Sequence, residues 1–179
     1  MRNKFSSLEN FCKRCEANCC KNWTIFVTIS DVNRICKHTG LKPGDFSEFS
    51  KIPEWERIKY SSKGRNHIYG FLQDERILQL KKKGEKCIFL KEKMCSVYPV
   101  RPMICRLYPY WFRKEGGNLK IVTCIGYENV CIIPEEVLKI YKKRKEKMLL
   151  LIASKYYKEI KEYKKEVLTF VAQNYEREN

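Results

Sequence analysis

The chain has 179 residues, of which 44% are hydrophobic and 32% charged, with a formal net charge of +16, ten cysteines and two histidines. It is long enough to fold around a core of its own, and no run of about 18 apolar residues is present, so we expect no membrane span. The first ten residues contain no apolar segment typical of a secretory signal, so we predict a cytoplasmic protein whose thiols are reduced.

The first elements predicted along the chain are a strand and two short helices. Residues 24–29 are rich in β-branched and aromatic side chains and predict a strand. Ser30 or Asp31 then caps a helix that ends at Gly40, because Ser and Asp favour the start of helices and Gly their end. Residues 45–60 predict a second short helix followed by a loop.

Two hairpins are predicted next. Residues 76–80 and 87–90 have strand-like composition and would turn near Gly84. Residues 111–113 and 119–122 would form another hairpin around a Gly-Gly-Asn turn. No internal repeat is visible.

Residues 134–179 predict one long amphipathic helix. Its apolar side chains recur mostly at spacings of three, four or seven, with lysines and glutamates between them. The fold class is therefore α+β. A small cysteine-rich domain with short hairpins and loops occupies residues 1–133, and the C-terminal helix packs on it or on a partner. The residues of the predicted apolar face are Val137, Ile140, Tyr141, Met148, Leu151, Ile152, Tyr156, Ile160, Tyr163, Val167, Phe170 and Val171.

The cysteines begin with a group of four, Cys12, Cys15, Cys19 and Cys20. The spacing of Cys12 and Cys15 allows two thiolates to bind one metal, and Cys19 lies one helical turn further on. Because adjacent side chains point away from each other, we do not expect Cys19 and Cys20 to bind the same mononuclear ion. The pair favours a cluster of several metal ions or a second site.

A second group contains Cys87, Cys95 and Cys105, the last flanked by Arg101 and Arg106. So many thiols in a reducing compartment indicate a metal site more than a disulfide framework. The two arginines are candidate cofactor-binding residues, because guanidinium charge beside an anionic cluster would raise its reduction potential. Alternatively, both arginines pair with carboxylates or reach the solvent.

Other side chains are weaker candidates. Cys36 is expected in the core, and His38 and His67 at the surface rather than in a metal site. Asp31 would act mainly as a helix cap, with support of the cluster as the alternative. The aromatic residues at 108 and 110–112 would exclude water from the metal rather than stack on bases.

The combined order of motifs is specific. CxxCxxxCC is followed by T-x-x-D, CxFL, CxxY and RPxxCRxYP. This order resembles the YkgJ-like cysteine-cluster family, also called the CxxCxxCC family of zinc- or iron-chelating proteins. The resemblance covers residues 12 to about 126, with the long helix outside it. The matching residues are Cys12, Cys15, Cys19, Cys20, Thr28, Asp31, Cys87, Phe89, Leu90, Cys95, Tyr98, Arg101, Pro102, Cys105, Arg106, Tyr108 and Pro109.

The resemblance implies a set of eight metal-binding cysteines that Cys124 completes. The family usually closes with a cysteine in a CPG-like turn, where this chain has Cys124-Ile125-Gly126. Cys131 is the alternative last ligand. The expected cofactor is an iron–sulfur cluster, with [4Fe–4S] favoured, or zinc.

The same cysteine arrangement occurs in flagellin lysine-N-methylases, which are linked to an iron–sulfur cluster. Redox or methyl-transfer chemistry is therefore an expectation, although this chain is shorter than those enzymes. The alternative function is a zinc-stabilised module that binds RNA or an acidic protein through its positive charge. A protein partner on the C-terminal helix fits either reading, and nucleic acid is the less favoured partner. A disulfide-stapled structural protein is a third hypothesis.

Overall fold

The computed structural model describes residues 17–51, 76–123 and 135–175, which form helices and short antiparallel hairpins. The α+β prediction is confirmed. The helices are α1 Asn18–Asn22, α2 Ile29–Thr39, α3 Pro43–Phe46, α4 Met103–Leu107 and α5 Glu135–Asn174, with a 3₁₀ turn at Tyr98–Val100. The strands are β1 Ser47–Lys51, β2 Arg76–Leu80, β3 Lys82–Lys83, β4 Lys86–Cys87, β5 Leu90–Lys91, β6 Met94–Cys95, β7 Tyr110–Glu115 and β8 Asn118–Thr123.

Helix α2 begins at Ile29, and its N-cap lies two or three residues before the caps predicted from the sequence. Its N-cap is Thr28, whose hydroxyl accepts from the Asp31 N–H at 3.2 Å, while the Asp31 carboxylate accepts from the Thr28 N–H at 3.3 Å. This reciprocal capping box satisfies two N–H groups that a helix start leaves without partners. The predicted C-terminal glycine is confirmed, since Gly40 adopts a left-handed conformation with φ of 75°.

The strand predicted at residues 24–29 is only partly correct. Phe26 forms a single antiparallel bridge with Gln79, and the chain enters α2 at Ile29. The Val27 N–H donates to the Leu78 carbonyl at 3.0 Å, so this segment lies along one edge of β2.

The other edge of β2 pairs with β1 rather than with residues 87–90, so the predicted hairpin was wrong. Residues 47–51, predicted as helix and loop, form β1, because helix α3 already ends at Phe46. Residues 52–60 lie outside the described part of the chain. The turn at Gly84 joins β3 to β4 instead.

Two small hairpins follow one another with a period of eight residues, which the sequence analysis missed. Lys82 pairs with Cys87 in β3–β4, and Leu90 pairs with Cys95 in β5–β6. The turn glycine Gly84 has φ of 62°, and Glu92, eight residues later, has φ of 54°. The repeat is hidden because a glutamate occupies a backbone conformation that favours glycine. Each hairpin ends on a cysteine.

The β7–β8 hairpin and the long helix are confirmed as elements. Gly116 and Gly117 form the turn between β7 and β8, with φ of 55° and 86°. Helix α5 has 40 residues and packs against β8, α4 and α2. It therefore lies against the cysteine-bearing part of the chain. The boundary predicted at residue 134 falls outside the described residues.

The buried face of α5 differs from the predicted one. Ile140, Met148 and Leu151 are 52%, 41% and 72% exposed, because Ile140 and Leu151 lie opposite to the core and Met148 lies on the flank of the helix. Their spacing of three, four or seven placed these residues on the predicted apolar face. Because an α-helix turns about 100° per residue, they in fact lie away from the buried face. The side chains that α5 buries are Leu138, Leu149, Ala153, Tyr156, Tyr163 and Val167.

Tyrosine hydroxyls fix the long helix at three places. The Tyr110 hydroxyl donates to the Leu138 carbonyl at 2.8 Å, and the Leu78 N–H donates to the Tyr163 hydroxyl at 2.9 Å. Near the end of the helix the hydroxyls of Ser47 and Tyr175 are 2.8 Å apart. These bonds specify the position of the helix along its axis, which apolar packing alone specifies less strictly. Within the described ranges, we find no helix with the length and apolar composition needed to cross a membrane.

Replacing Tyr163 with Phe should lower the free energy of unfolding by about 1 to 3 kcal/mol, because the buried Leu78 N–H loses its acceptor. Urea denaturation measures this change. The matched control is Tyr157→Phe on the same helix, since Tyr157 is half-buried and its hydroxyl bonds to no described group. Equal stability of parent and Tyr163→Phe would show that the bond does not hold the helix.

Candidate metal centre

Helix α1 carries the first two described thiols, and their sulfur atoms lie 4.0 Å apart. The expectation that Cys19 and Cys20 point away from each other was therefore wrong. Two sulfurs bound to one tetrahedral ion at 2.3 Å are about 3.8 Å apart, so the pair is compatible with a shared metal. The two sulfurs approach each other in the first turn of a short helix, and this helix packs against β4.

The tandem hairpins supply the next two thiols in equivalent surroundings. Cys87 ends β4 and Cys95 ends β6. In each case the N–H two residues further on, that of Phe89 or Val97, donates to the sulfur. Such N–H groups favour the thiolate form, which is the form that binds metals. The CxFL motif is thus one half of a structural repeat whose other half is Cys95-Ser96-Val97.

Cys105 lies in the short helix α4, which an ion pair holds in place. Asp31 is fully buried, and its carboxylate accepts from Arg34 at 2.5 Å and from the Met103 N–H at 3.1 Å. The Arg34 guanidinium also donates to the carbonyls of Val100 and Arg101, at 3.4 and 3.1 Å. We call these contacts of Asp31 and Arg34 the Asp31–Arg34 clasp.

The clasp ties the start of α2 to the segment that bears Cys105. Asp31 therefore does more than cap a helix, and it supports the position of a predicted ligand. Helix α5 closes the same region, since Tyr156 is fully buried and burial, then the charges of Asp31 and Cys105, raise its pKa.

Five of the six described thiols, all except Cys36, affect one another's pKa. Hydrogen bonding to Cys19, followed by burial and the charges of Cys105 and Cys87, raises the pKa of Cys20 far above its usual value. Burial, then the charges of Cys19, Cys87 and Cys95, raises the pKa of Cys105. The pKa of Cys87 rises to about 11, chiefly through burial. Without a bound cation these thiols keep their protons at neutral pH.

The two flanking arginines behave differently. Arg101 donates to the Cys105 carbonyl at 3.3 Å, and its charge opposes the rise in the pKa of both Cys95 and Cys105. Its guanidinium also lies 3.8 Å from the centre of the Tyr98 ring. Arg106 is exposed instead, with Arg34 and Arg101 as its charged neighbours.

The predicted aromatic residues pack on other aromatic side chains of the described part of the protein. Trp23 follows α1 and contacts the edge of Tyr108 at a ring separation of 5.6 Å. Tyr110 and Phe112 are buried in the core and not available to stack on bases. Trp111 is half-buried against Tyr156. This arrangement favours the predicted exclusion of water over the nucleic-acid alternative for these residues.

Some predicted candidates lie elsewhere. Cys36 packs half-buried against the core, with Asp45 and Tyr175 as charged or polar neighbours, and His38 is exposed at the end of α2. Within the described ranges, no three His, Cys, Asp or Glu side chains form a group that could hold a metal ion. Outside the described residues lie Cys12, Cys15, Cys124, Cys131 and His67.

The donor set still fits a thiophilic metal. The Cys19 and Cys20 sulfurs lie 4.0 Å apart, the helix that carries them packs against the strand of Cys87, and the Arg101 guanidinium donates to the Cys105 carbonyl. A bound cation would offset the cost of burying thiolates together. Arg34 was not predicted, because its spacing of three from Asp31 indicates a helix pair but not its reach to a carbonyl 66 residues away.

Comparison with known families agrees with these residues. The model of a family described as "CxxCxxCC: Putative zinc- or iron-chelating domain" matches residues 11–162. The chain belongs to the CxxCxxCC family. The sequence resemblance placed the long helix outside the family region. The match instead runs well into α5, so this part of the helix belongs to the family unit. The description supports binding of zinc or iron by this chain.

A curated relative is also similar to part of the chain. "Uncharacterized protein MJ0661" of Methanocaldococcus jannaschii is 35% identical over 86 residues, which cover 47% of this chain and 46% of the relative. The match thus spans about half the length of that relative. No solved structure matches this chain.

Replacing Asp31 with Ala should lower the free energy of unfolding by about 3 kcal/mol, because Arg34 and the Met103 N–H both lose a buried acceptor. The matched control is Asp45→Ala. Asp45 also accepts from an N-cap N–H, that of Lys42 at 2.8 Å, but it is exposed and makes no such tertiary contact. Its loss should cost about 1 kcal/mol. Equal losses in chemical denaturation would contradict the role of the clasp.

In the metal-free protein, the free energy of unfolding should fall as pH rises from 9.0 to about 11. The unfolded chain releases the Cys87 proton near the lower value and the folded chain near the upper, so the unfolded state gains stability between them. The Cys87 contribution is on the order of 2 kcal/mol. A Cys87→Ala variant should lose correspondingly less over this range. Identical pH profiles of unfolding for parent and variant would refute the raised pKa of Cys87 in the folded protein.

Proposed function

We propose that this protein holds an iron–sulfur cluster through cysteine thiolates, with [4Fe–4S] as the favoured type. The carrying observation is the 4.0 Å separation of the Cys19 and Cys20 sulfurs on a helix that packs against the strand of Cys87. The proposed set of eight ligands also includes Cys12, Cys15, Cys95, Cys105 and Cys124. Zinc is the alternative metal.

The number of thiols supports an iron–sulfur cluster over a single zinc ion. A structural zinc ion takes four ligands, and the described part of the chain alone brings five thiols under mutual influence. A zinc ion would therefore leave at least one buried thiol without a metal. The spacing of Cys12 and Cys15 adds two further candidates.

Arg101 would tune such a cluster. Its guanidinium acts on two of the proposed ligands and is fixed by the Tyr98 carbonyl and ring. A fixed positive charge near a cluster lowers the net charge of the reduced state and raises the reduction potential. This arrangement supports electron transfer as the chemistry of the centre. Methyl transfer and the zinc-stabilised RNA-binding module stay predictions from sequence.

Protein purified without air should be brown, absorb near about 400 nm through thiolate-to-iron charge transfer and contain iron and acid-labile sulfide. Cys105→Ser and Cys87→Ser should each lose most of the bound iron. The matched control is Cys36→Ser, because Cys36 lies away from the other described thiols and should keep the iron content of the parent. Metal analysis with absorption and EPR spectra provides the measurement.

Two results would contradict this proposal. A colourless protein with one or two zinc ions per chain would show that the bound metal is zinc, the alternative, and not iron. Loss of metal in Cys36→Ser as large as in Cys105→Ser would show that the described thiols do not form the centre.

A further inference from the structure

The long helix α5 is buried along one side, and its other side faces the solvent. Leu149 and Tyr156 on the first side are buried in the core, whereas Ile140 and Leu151 are 52% and 72% exposed. Because an α-helix turns about 100° per residue, Ile140 and Leu151 lie within about 20° of each other on the side opposite to the core. The packing of α5 on the cysteine-bearing segments therefore leaves these two apolar side chains on a second, outer face.

Basic side chains surround the two exposed apolar residues. Between Ile140 and Lys158, a sector of the helix about 120° wide carries five basic residues and no acidic one. All five are exposed, and none forms an ion pair within the described ranges. We call this surface the outer basic face, and its apolar and basic residues are Ile140, Lys143, Arg144, Lys147, Leu151, Lys155 and Lys158.

The positive charge is concentrated in one half of the helix. Residues 139–158 contain eight basic residues and one acidic residue, whereas residues 159–174 contain three of each. A general excess of lysine in the protein would affect both halves alike, so the difference is a property of this surface. Lys143 and Lys147 are one turn apart, and like charges at this spacing destabilise a helix slightly. An acidic partner would relieve that repulsion.

The thiolates of the proposed metal centre do not neutralise the outer basic face. Cys105 lies in α4, which packs against α5, and its charge acts on Tyr156 on the buried side of the long helix. The outer basic face points in the opposite direction, and a helix with its side chains is about 10 Å across. The basic side chains are therefore presented to the solvent and not to the cysteines.

We propose that the outer basic face binds an acidic helix of another protein. Carboxylates on that helix would pair with the basic side chains, and apolar residues about three turns apart would bury Ile140 and Leu151. The face follows about 27 Å of α5 between Ile140 and Lys158, and a second helix can contact a surface of this shape along its whole length. The inference goes beyond the proposed function and does not depend on which metal is bound.

Other occupants fit this face less well. A nucleic acid would offer phosphates but no apolar contact for Ile140 and Leu151, and the face has no aromatic side chain on which bases stack. A membrane surface requires a continuous apolar stripe, whereas these two side chains are about 16 Å apart with basic residues between them. A second copy of this chain, with its formal charge of +16, would bring like charges together.

The test uses the full-length protein, purified without air, and a synthetic helical peptide with glutamates around two leucines spaced like Ile140 and Leu151. Fluorescence anisotropy of the labelled peptide should show saturable binding that weakens with salt. The double variant Lys143→Gln/Lys147→Gln should weaken binding about fivefold, because two exposed ion pairs are lost. Leu151→Gln should weaken it about tenfold, because a leucine of the peptide loses its apolar contact.

Matched control variants lie in the second half of the same helix. Lys161→Gln/Lys165→Gln removes two exposed charges at the same spacing, and Leu168→Gln replaces another exposed leucine. Both controls should bind the peptide like the parent. The metal content should be equal in all variants, and this readout separates the helix surface from the metal centre.

Three outcomes would overturn the inference. The first is the absence of saturable binding of the acidic peptide to the parent, and the second is an equal loss of binding in the control variants. The third is tighter binding of a uridine oligonucleotide, or of vesicles containing phosphatidylserine, that is lost in Lys143→Gln/Lys147→Gln. That result would assign the outer basic face to nucleic acid or to a membrane surface instead.

Discussion

Partial burial of neighbouring thiols, above all of Cys19 and Cys20 with their sulfurs 4.0 Å apart, is the constraint on which this structure depends. Hydrogen bonding to Cys19 raises the pKa of Cys20, and burial raises the pKa of Cys105, so their position in the protein conflicts with their ionisation. A thiophilic cation removes this conflict by binding the thiolates and displacing their protons. Folding of the cysteine-bearing segments and binding of the metal are therefore two parts of one equilibrium in this account.

Three different structural features position the thiols of the proposed site. Helix α1 presents adjacent cysteines, the tandem hairpins present one cysteine each, and the Asp31–Arg34 clasp holds the helix of Cys105. Helix α5 packs against the helix of Cys105, near which Tyr156 is buried, and Tyr163 on the same helix bonds to β2. The long helix thus packs against the cysteine-bearing segments, and the family match extends into it.

Residue type and short-range spacing predicted the turns, caps and helices that depend only on neighbouring residues. The Gly-Gly turn of β7–β8, the Gly40 cap and the long helix follow from residue types and spacing. Strand pairing was harder, because residues 47–51 join β2 only through a partner more than twenty residues away. The eight-residue repeat escaped detection because Glu92 replaces the expected glycine. Cys19 and Cys20 were expected to point away from each other because they are adjacent, but their sulfurs lie 4.0 Å apart in a short helix.

X-ray absorption at the edge of the bound metal tests the central claim most directly, because it counts the atoms around the ion. The account predicts a first shell of sulfur alone at about 2.3 Å, and a reduced sulfur number in Cys105→Ser but not in Cys36→Ser. A shell dominated by nitrogen or oxygen in the parent protein, or an unchanged sulfur number in Cys105→Ser, would contradict it.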